Sequence, residues 1–187
     1  SLNSAWTIAS SGDTIYLRGG TYSIDIVQNL RNKTNMKVFA YADESPVFVR
    51  GNYVEDPENY FDWIGIYTDN ADGLYLKGLE VKDFPQFVHS TWGTPASFGI
   101  WCSDTDNAKF ENLNIHHCGG GMMLHNCRNA TVLNSDFHHN QDPLSDDPYG
   151  GADGLVLREV TDTSSYSVVR GCRFWWNTDD GCDLWYN

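Results

Sequence analysis

The chain has 187 residues, with 12 Lys plus Arg against 25 Asp plus Glu and a formal charge of −13. That balance argues against nucleic acid and anionic membranes as partners, though not against an anionic sugar, because a bound cation can reverse the sign of a small site. The length suits one substantial core, no apolar run approaches the roughly 18–20 residues of a transmembrane span, and no linker divides the chain, so residues 1–187 read as a single domain.

Ser1 is neither an initiator methionine nor the start of a signal peptide, so the chain reads as a processed or excised piece. Cys102, Cys118, Cys127, Cys172 and Cys182 form no CxxC pair. They are compatible with secretion and one or two disulfides plus a free thiol, and Asn32-Lys33-Thr34 and Asn129-Ala130-Thr131 are glycan acceptor sequences. The expected location is extracellular.

In chain order, Ala5 to Ala9 reads as a short helix or cap and Gly12-Asp13-Thr14 as a turn. Ile15 to Arg18 is a short strand stopped by Gly19-Gly20, and Met36 to Ala40 and Pro46 to Gly51 are strand-like. From Phe61 the sequence repeats. Asn107-Ala108-Lys109-Phe110-Glu111-Asn112-Leu113-Asn114-Ile115-His116-His117-Cys118 is followed by Asn129-Ala130-Thr131-Val132-Leu133-Asn134-Ser135-Asp136-Phe137-His138-His139-Asn140. The step between them is 22 residues. A related copy ends at Asn177, 37 residues after Asn140, which is one period plus the loop from Gln141 to Tyr149. A second series aligns at glycines: Gly99-Ile100-Trp101, Gly121-Met122-Met123, Gly154-Leu155-Val156 and Gly181-Cys182-Asp183.

Short strands at this period, without helices, predict a right-handed parallel β-helix solenoid of about seven coils of roughly 22 residues. The bland competitor is a β-sandwich with a coincidental repeat. The chain stops directly after a strand, leaving Leu184 and Tyr186 without a covering coil, so it is expected to be the N-terminal part of a longer solenoid.

Three carboxylates crowd the last stretch, Asp179, Asp180 and Asp183, and Asp153 precedes the equivalent glycine one coil earlier. Parallel strands lie about 4.8 Å apart, so stacked turns bring four carboxylates together. Like charges this close need a cation, and an oxygen-only set suits Ca2+ better than zinc.

Gly151-Ala152-Asp153-Gly154 and the run from Arg170 to Leu184 resemble the calcium-site region of the family 9 polysaccharide lyases, which are pectate lyase-like right-handed β-helix enzymes. The resemblance implies that Asp153, Asp179, Asp180 and Asp183 are calcium ligands, that the substrate is an acidic polysaccharide and that the reaction is β-elimination. It also implies a lysine base roughly 30–40 residues further on. None of Lys33, Lys37, Lys77, Lys82 and Lys109 lies in the coils of the acidic turns, so the base is expected outside this chain, in a remaining C-terminal part of the same gene product. The catalytic residue is therefore left unassigned.

Arg158, Arg170 and Arg173 are nearer; arginine is too basic to be the base, which leaves binding of a substrate carboxylate or outer-face salt bridges. Trp176 is a candidate stacking platform for a sugar ring. Asp136, Asp146 and Asp147 read as surface or loop residues. The pairs His116-His117 and His138-His139 recur at equivalent positions and read as a surface stack, with zinc binding as the sharper alternative. Asn107, Asn129, Asn140 and Asn177 read as turn formers bonded from coil to coil. Two other functions stay open: an inverting glycoside hydrolase on the same fold, using the acids without metal, and a noncatalytic carbohydrate-binding β-helix.

Overall fold

The computed structural model describes residues 1–52, 64–86, 97–145, 151–159 and 166–185. Tyr186, Asp146, Asp147 and Tyr149, all named above, lie outside the described residues. Three six-stranded parallel sheets form the body. The first holds β1 (Thr14–Leu17), β4 (Lys37–Ala40), β7 (Tyr75–Lys77), β10 (Lys109–Glu111), β13 (Thr131–Leu133) and β16 (Val168–Arg170). The second holds β2 (Gly20–Ile24), β5 (Pro46–Arg50), β8 (Glu80–Lys82), β11 (Asn114–His116), β14 (Asp136–His138) and β17 (Arg173–Trp175). The third holds β3 (Gln28–Arg31), β6 (Ile64–Asp69), β9 (Phe98–Ser103), β12 (Gly120–His125), β15 (Leu155–Arg158) and β18 (Cys182–Trp185). Successive strands visit the sheets in turn, which makes a parallel β-helix with six coils among the described residues, against the expected seven or so. The bare 22-residue period separates β10 from β13, while longer connections elsewhere use up residues that a strict period would give to a seventh coil.

Side chains alternate in and out along each strand, so one row per strand position stacks inside. The second sheet stacks Tyr22, Phe48, Val81, Ile115, Phe137 and Phe174 in register. The third stacks Ile66, Ile100, Met122, Leu155 and Cys182 beside Cys102, Leu124, Leu157 and Leu184. Burying each large aliphatic or aromatic side chain contributes about 1.5–3 kcal/mol. Leu157 is buried, whereas Leu184, next in its row, is 64% exposed. All five cysteines are free, so the structure contains none of the disulfides that their number allows.

The helix expected near Ala5 is α1 (Leu2–Ile8), capped by the Ser1 hydroxyl. It buries Leu2 and Trp6 against the first coil, and the Trp6 indole N–H donates to the Arg31 carbonyl at 3.1 Å. No strand was legible in the sequence at β2 and β3. They form because they pair with β5 and β6, through registers such as Thr21 with Val47 and Leu30 with Thr68, contacts that local pattern does not encode. Among the described residues no helix is long and apolar enough to cross a membrane.

At the corner between the second and third sheets, Gly65, Gly99, Gly121, Gly154 and Gly181 lie one above another. A Cβ on Gly121 would stand 2.2 Å from the Gly154 carbonyl oxygen, and one on Gly154 would stand 2.6 Å from that of Gly181. Neither glycine needs a left-handed conformation, so the constraint is the close approach of backbone to backbone. Asn140 and Asn177 back this column: the Asn140 side-chain amide donates to Asn177 Oδ1 at 2.9 Å. Gly121→Ala is therefore expected to destabilise the fold by about 2–3 kcal/mol, since no flexible side chain can yield, and a lower midpoint in urea unfolding checks it.

Candidate functional site

The same glycine column carries the acidic turns. Gly121 N–H donates to the Asp153 carbonyl at 2.9 Å, and Gly154 N–H to that of Asp180 at 3.0 Å. Asp153 and Asp180 thus occupy one position on consecutive coils. The Asp180 N–H also donates to Asp153 Oδ1 at 3.1 Å, tying the lower side chain to the upper turn. Carboxylate oxygens of Asp153, Asp179 and Asp180 lie within 4.8 Å of one another, with Asp153 buried and the other two exposed.

Asp183 follows on β18, opposite Val156 of β15. Its neighbours Cys182 and Leu184 continue the inner rows, so Asp183 belongs to the outward row of the third sheet. It stands outside the tight trio but is close enough to be felt: the Asp153 carboxyl is pushed up to about 7, first by burial, then by the charges of Asp179 and Asp183, and less by Asp180. An oxygen-only, crowded and partly buried donor set that resists full ionisation is what a hard dication relieves, and calcium's flexible coordination by several oxygens fits it.

The other candidates separate. Arg158 lies two residues beyond Val156 on β15, beside Glu159 at 3.1 Å and with its guanidinium 4.3 Å from the centre of the Trp185 ring. It shares the third sheet with Asp183. Arg173 lies on the second sheet, where its Nε donates to Asp136 at 2.7 Å; this is the outer-face salt bridge that the sequence left open, and it explains Asp136 as well. Trp176 is 72% exposed at the corner and meets His139 edge-on. All five lysines lie away from the acidic turns. Lys77 and Lys109 pair with Glu111 and Lys82 with Glu80; Lys33 meets backbone carbonyls of α1 and the residues after it, and Lys37 is on β4.

Sequence reasoning passed over Asp142. It is fully buried, its Oδ1 accepts from the Thr178 hydroxyl at 3.2 Å, and burial raises its pKa. Gln141 N–H donates to the Cys118 carbonyl as Thr178 N–H does to that of Asn140, so Asp142 occupies on its coil the place that Asp179 occupies on the next. That equivalence was available from the alignment of Asn140 with Asn177; the loop that follows hid it.

The profile of the family described as "Pel9A-like, right handed beta helix region" matches residues 1–187, so the likeness extends over the whole chain and not only its last third. The chain is 31% identical over 186 residues to pectate lyase PEL9 of Emericella nidulans, covering 95% of this chain and 42% of that protein. It is 30% identical over 197 residues to pectate lyase L of Dickeya dadantii, covering 98% and 42%. Among solved structures it is similar to the pectate lyase Pel9A, with a TM-score of 0.65 and 25% identity over 98% of this chain and 44% of the other. A rhamnogalacturonan lyase superposes with a TM-score of 0.79 over 98% of this chain and 48% of the other; at 24% identity it supports the fold. The chain therefore spans less than half the length of these relatives.

The crowding of Asp153 has a consequence for pH. A carboxyl with a raised folded-state pKa holds its proton better in the fold than in the unfolded chain. Its contribution to stability is thus present at low pH and lost as pH rises from about 4 to about 7. Asp153→Asn keeps the oxygen that accepts from Asp180. In chelator it is expected to match the wild type below pH ~4 and to melt higher above pH ~7. With calcium added the order should reverse, because only the wild type gains ligand stabilisation. Thermal melts across pH, with and without chelator, check both halves.

Proposed function

Because the chain belongs to the Pel9A-like right-handed β-helix family, we propose that it is the N-terminal part of a calcium-dependent polysaccharide lyase. The substrate is a uronic acid-containing polymer such as pectate, cleaved by β-elimination outside the cell. The observation that carries this reading is the convergence of Asp153, Asp179 and Asp180 from two coils, with Asp183 beside them in the outward row. The pectate lyases among its relatives agree with it.

Asp153, the most buried of the four, fixes the depth of the site, and its bond from the Asp180 N–H holds the two coils in register. Asp179, Asp180 and Asp183 present the remaining oxygens from the exposed side. Calcium bound by this set supplies charge neutralisation and a Lewis acid for a uronate whose C5 loses a proton. Arg158, held over Trp185 on the same sheet, is placed to meet a second carboxylate of the polymer, bidentately as the guanidinium fork allows. Trp176, exposed three residues before Asp179, offers an aromatic face to a sugar ring. Arg173 is left out of this role because Asp136 holds it on the second sheet. The base is supplied from outside these residues, since the five lysines lie away from the acidic turns.

An inverting hydrolase needs two carboxyl groups roughly 6.5–9.5 Å apart to seat a water. The trio here is closer than that, within 4.8 Å, which favours a shared cation. The full-length gene product, given polygalacturonate and other uronate polymers, is expected to release products with the ultraviolet absorbance of an unsaturated uronate. Chelator should abolish that signal, calcium should restore it, and Asp180→Asn should raise the calcium concentration needed for half-maximal activity at least tenfold. New reducing ends without unsaturation would point to a hydrolase, and silence across the panel to a noncatalytic β-helix.

A further inference from the structure

The outer face of the first sheet runs against the charge of the rest of the chain. Two rows of side chains leave it outward in register: Tyr16, Phe39, Lys77 and Glu111 in one, Thr14, Lys37, Tyr75 and Lys109 in the other. Val38, Leu76 and Phe110, which alternate with them, belong to the core. On β16, Arg170 continues the first row. Over the six described strands the outward positions thus hold Lys37, Lys77, Lys109 and Arg170 against one acid, Glu111, in a chain with 25 Asp plus Glu and 12 Lys plus Arg. Glu111 answers two ammonium groups at once, Lys109 at 2.9 Å and Lys77 at 3.3 Å. Lys37 and Arg170 are exposed and form no ion pair among the described residues. Asp13 and Asp72, in the turns before β1 and β7, accept instead from the backbone N–H groups of Ser10 and Asp106.

Aromatic rings are set among these cations. Phe39 meets Tyr75 edge-on with centroids 4.7 Å apart, and Tyr16 meets Phe39 at 6.3 Å and Tyr41, just past β4, at 6.1 Å. Tyr16 is 59% exposed and Tyr41 48%, so these are the rings that a ligand can reach. The Arg18 guanidinium lies 5.2 Å from the centre of the Tyr41 ring and the Lys109 ammonium 4.4 Å from that of Tyr75. Cation and ring therefore alternate across the surface. An apolar partner has no use for the unpaired ammonium groups, and a small anion has none for the rings. A polymer of acidic sugars uses both, since each unit offers an apolar ring face and a carboxylate.

We propose that the outer face of the first sheet, centred on Tyr16, Phe39 and Lys37 with Lys77 beside them, is a noncatalytic binding surface for an acidic polysaccharide. Its rows advance one coil per step, so a polymer lying along the solenoid meets ring and ammonium in succession. The first sheet does not border the corner that carries Asp153, Asp179 and Asp180, which lies between the other two sheets. A polymer held here leaves those turns free to act on another segment. Single-stranded nucleic acid also pairs rings with cations, so the choice of an acidic sugar rests on the lyase reading of the acidic turns.

Affinity electrophoresis of the full-length gene product through gels containing polygalacturonate tests this, with chelator present so that binding is read without turnover. Retardation should be clear at low ionic strength, fall as salt is added and vanish when the polymer is fully methyl-esterified. Tyr16→Ala and Lys37→Gln change exposed side chains; each should weaken retention at least threefold and the pair about tenfold. Calcium-dependent release of unsaturated products from a short oligomer should stay at the wild-type level in both. Lys82→Gln removes the same charge from the second sheet and should leave retention unchanged. Wild-type retention in the double variant Tyr16→Ala/Lys37→Gln, equal retention by the methyl-esterified polymer, or tighter retention by single-stranded DNA would overturn the surface. Retention that depends on Tyr16 and Lys37 in a protein without lyase activity would count against the lyase reading and leave the surface standing.

Discussion

The spacing of one coil on the next is the constraint from which the rest of the structure follows. Parallel strands hold each side chain about 4.8 Å above its equivalent, so whatever a repeat position carries is brought against its own kind. Apolar positions turn this into a stacked core, as from Phe48 to Phe174. At the glycine column the backbones approach so closely that a single methyl at Gly121 meets a carbonyl oxygen at 2.2 Å. The acidic turns ride on that column, and they converge because nothing larger than hydrogen separates their supports.

The same stacking explains why carboxylates on this solenoid behave in opposite ways. Glu111 lies on the first sheet among Tyr75, Lys109 and Lys77, and the hydrogen bond from Tyr75, then that from Lys109, pull its pKa down to about 2. Asp136 is neutralised one rung away by Arg173, and Asp106 by Arg128. Among the described residues the charges that act on Asp153 are those of Asp179, Asp183 and Asp180, and it is buried, so its pKa moves the other way. A solenoid with 25 acidic residues can pair many of them along its faces. Where like is stacked on like in a partly buried corner, the repulsion is left for a proton or a cation to relieve.

Much of this was legible from residues alone. The recurrence of Asn107-Ala108 as Asn129-Ala130, and of the His-His pairs, revealed the period, and the shared glycine placed Asp153 beneath Asp180. The amide ladder read into the asparagines is present, with Asn129 bonded to Asn107 and Asn140 to Asn177. What escaped was non-local or depended on direction. β2 and β3 carry weak strand patterns and exist through pairing with the coil above. The six-coil count could not be had by dividing length by period, because connection lengths are free in a solenoid. Arg173 looked as near the acids as Arg158 in sequence, but the two sit on different sheets, and only the structure tells which face each side chain leaves from. Asp142 was hidden because its loop breaks the rhythm immediately after it.

The corner between the second and third sheets presents two chemistries on one scaffold. On the side of the third sheet, short side chains on tight turns gather oxygen, which a hard and flexibly coordinated cation prefers. On the side of the second sheet, paired histidines at the strand ends stack ring on ring between coils. The step between coils is common to both, so the difference lies in reach. A carboxylate next to a glycine stays at the turn and meets the carboxylate above it, whereas an imidazole at the last strand position and another at the left-handed residue after it turn toward each other within a coil before they stack between coils. Repeat geometry therefore supplies the symmetry of each cluster, and side-chain length and local turn conformation decide whether its members crowd one point or stack in rows.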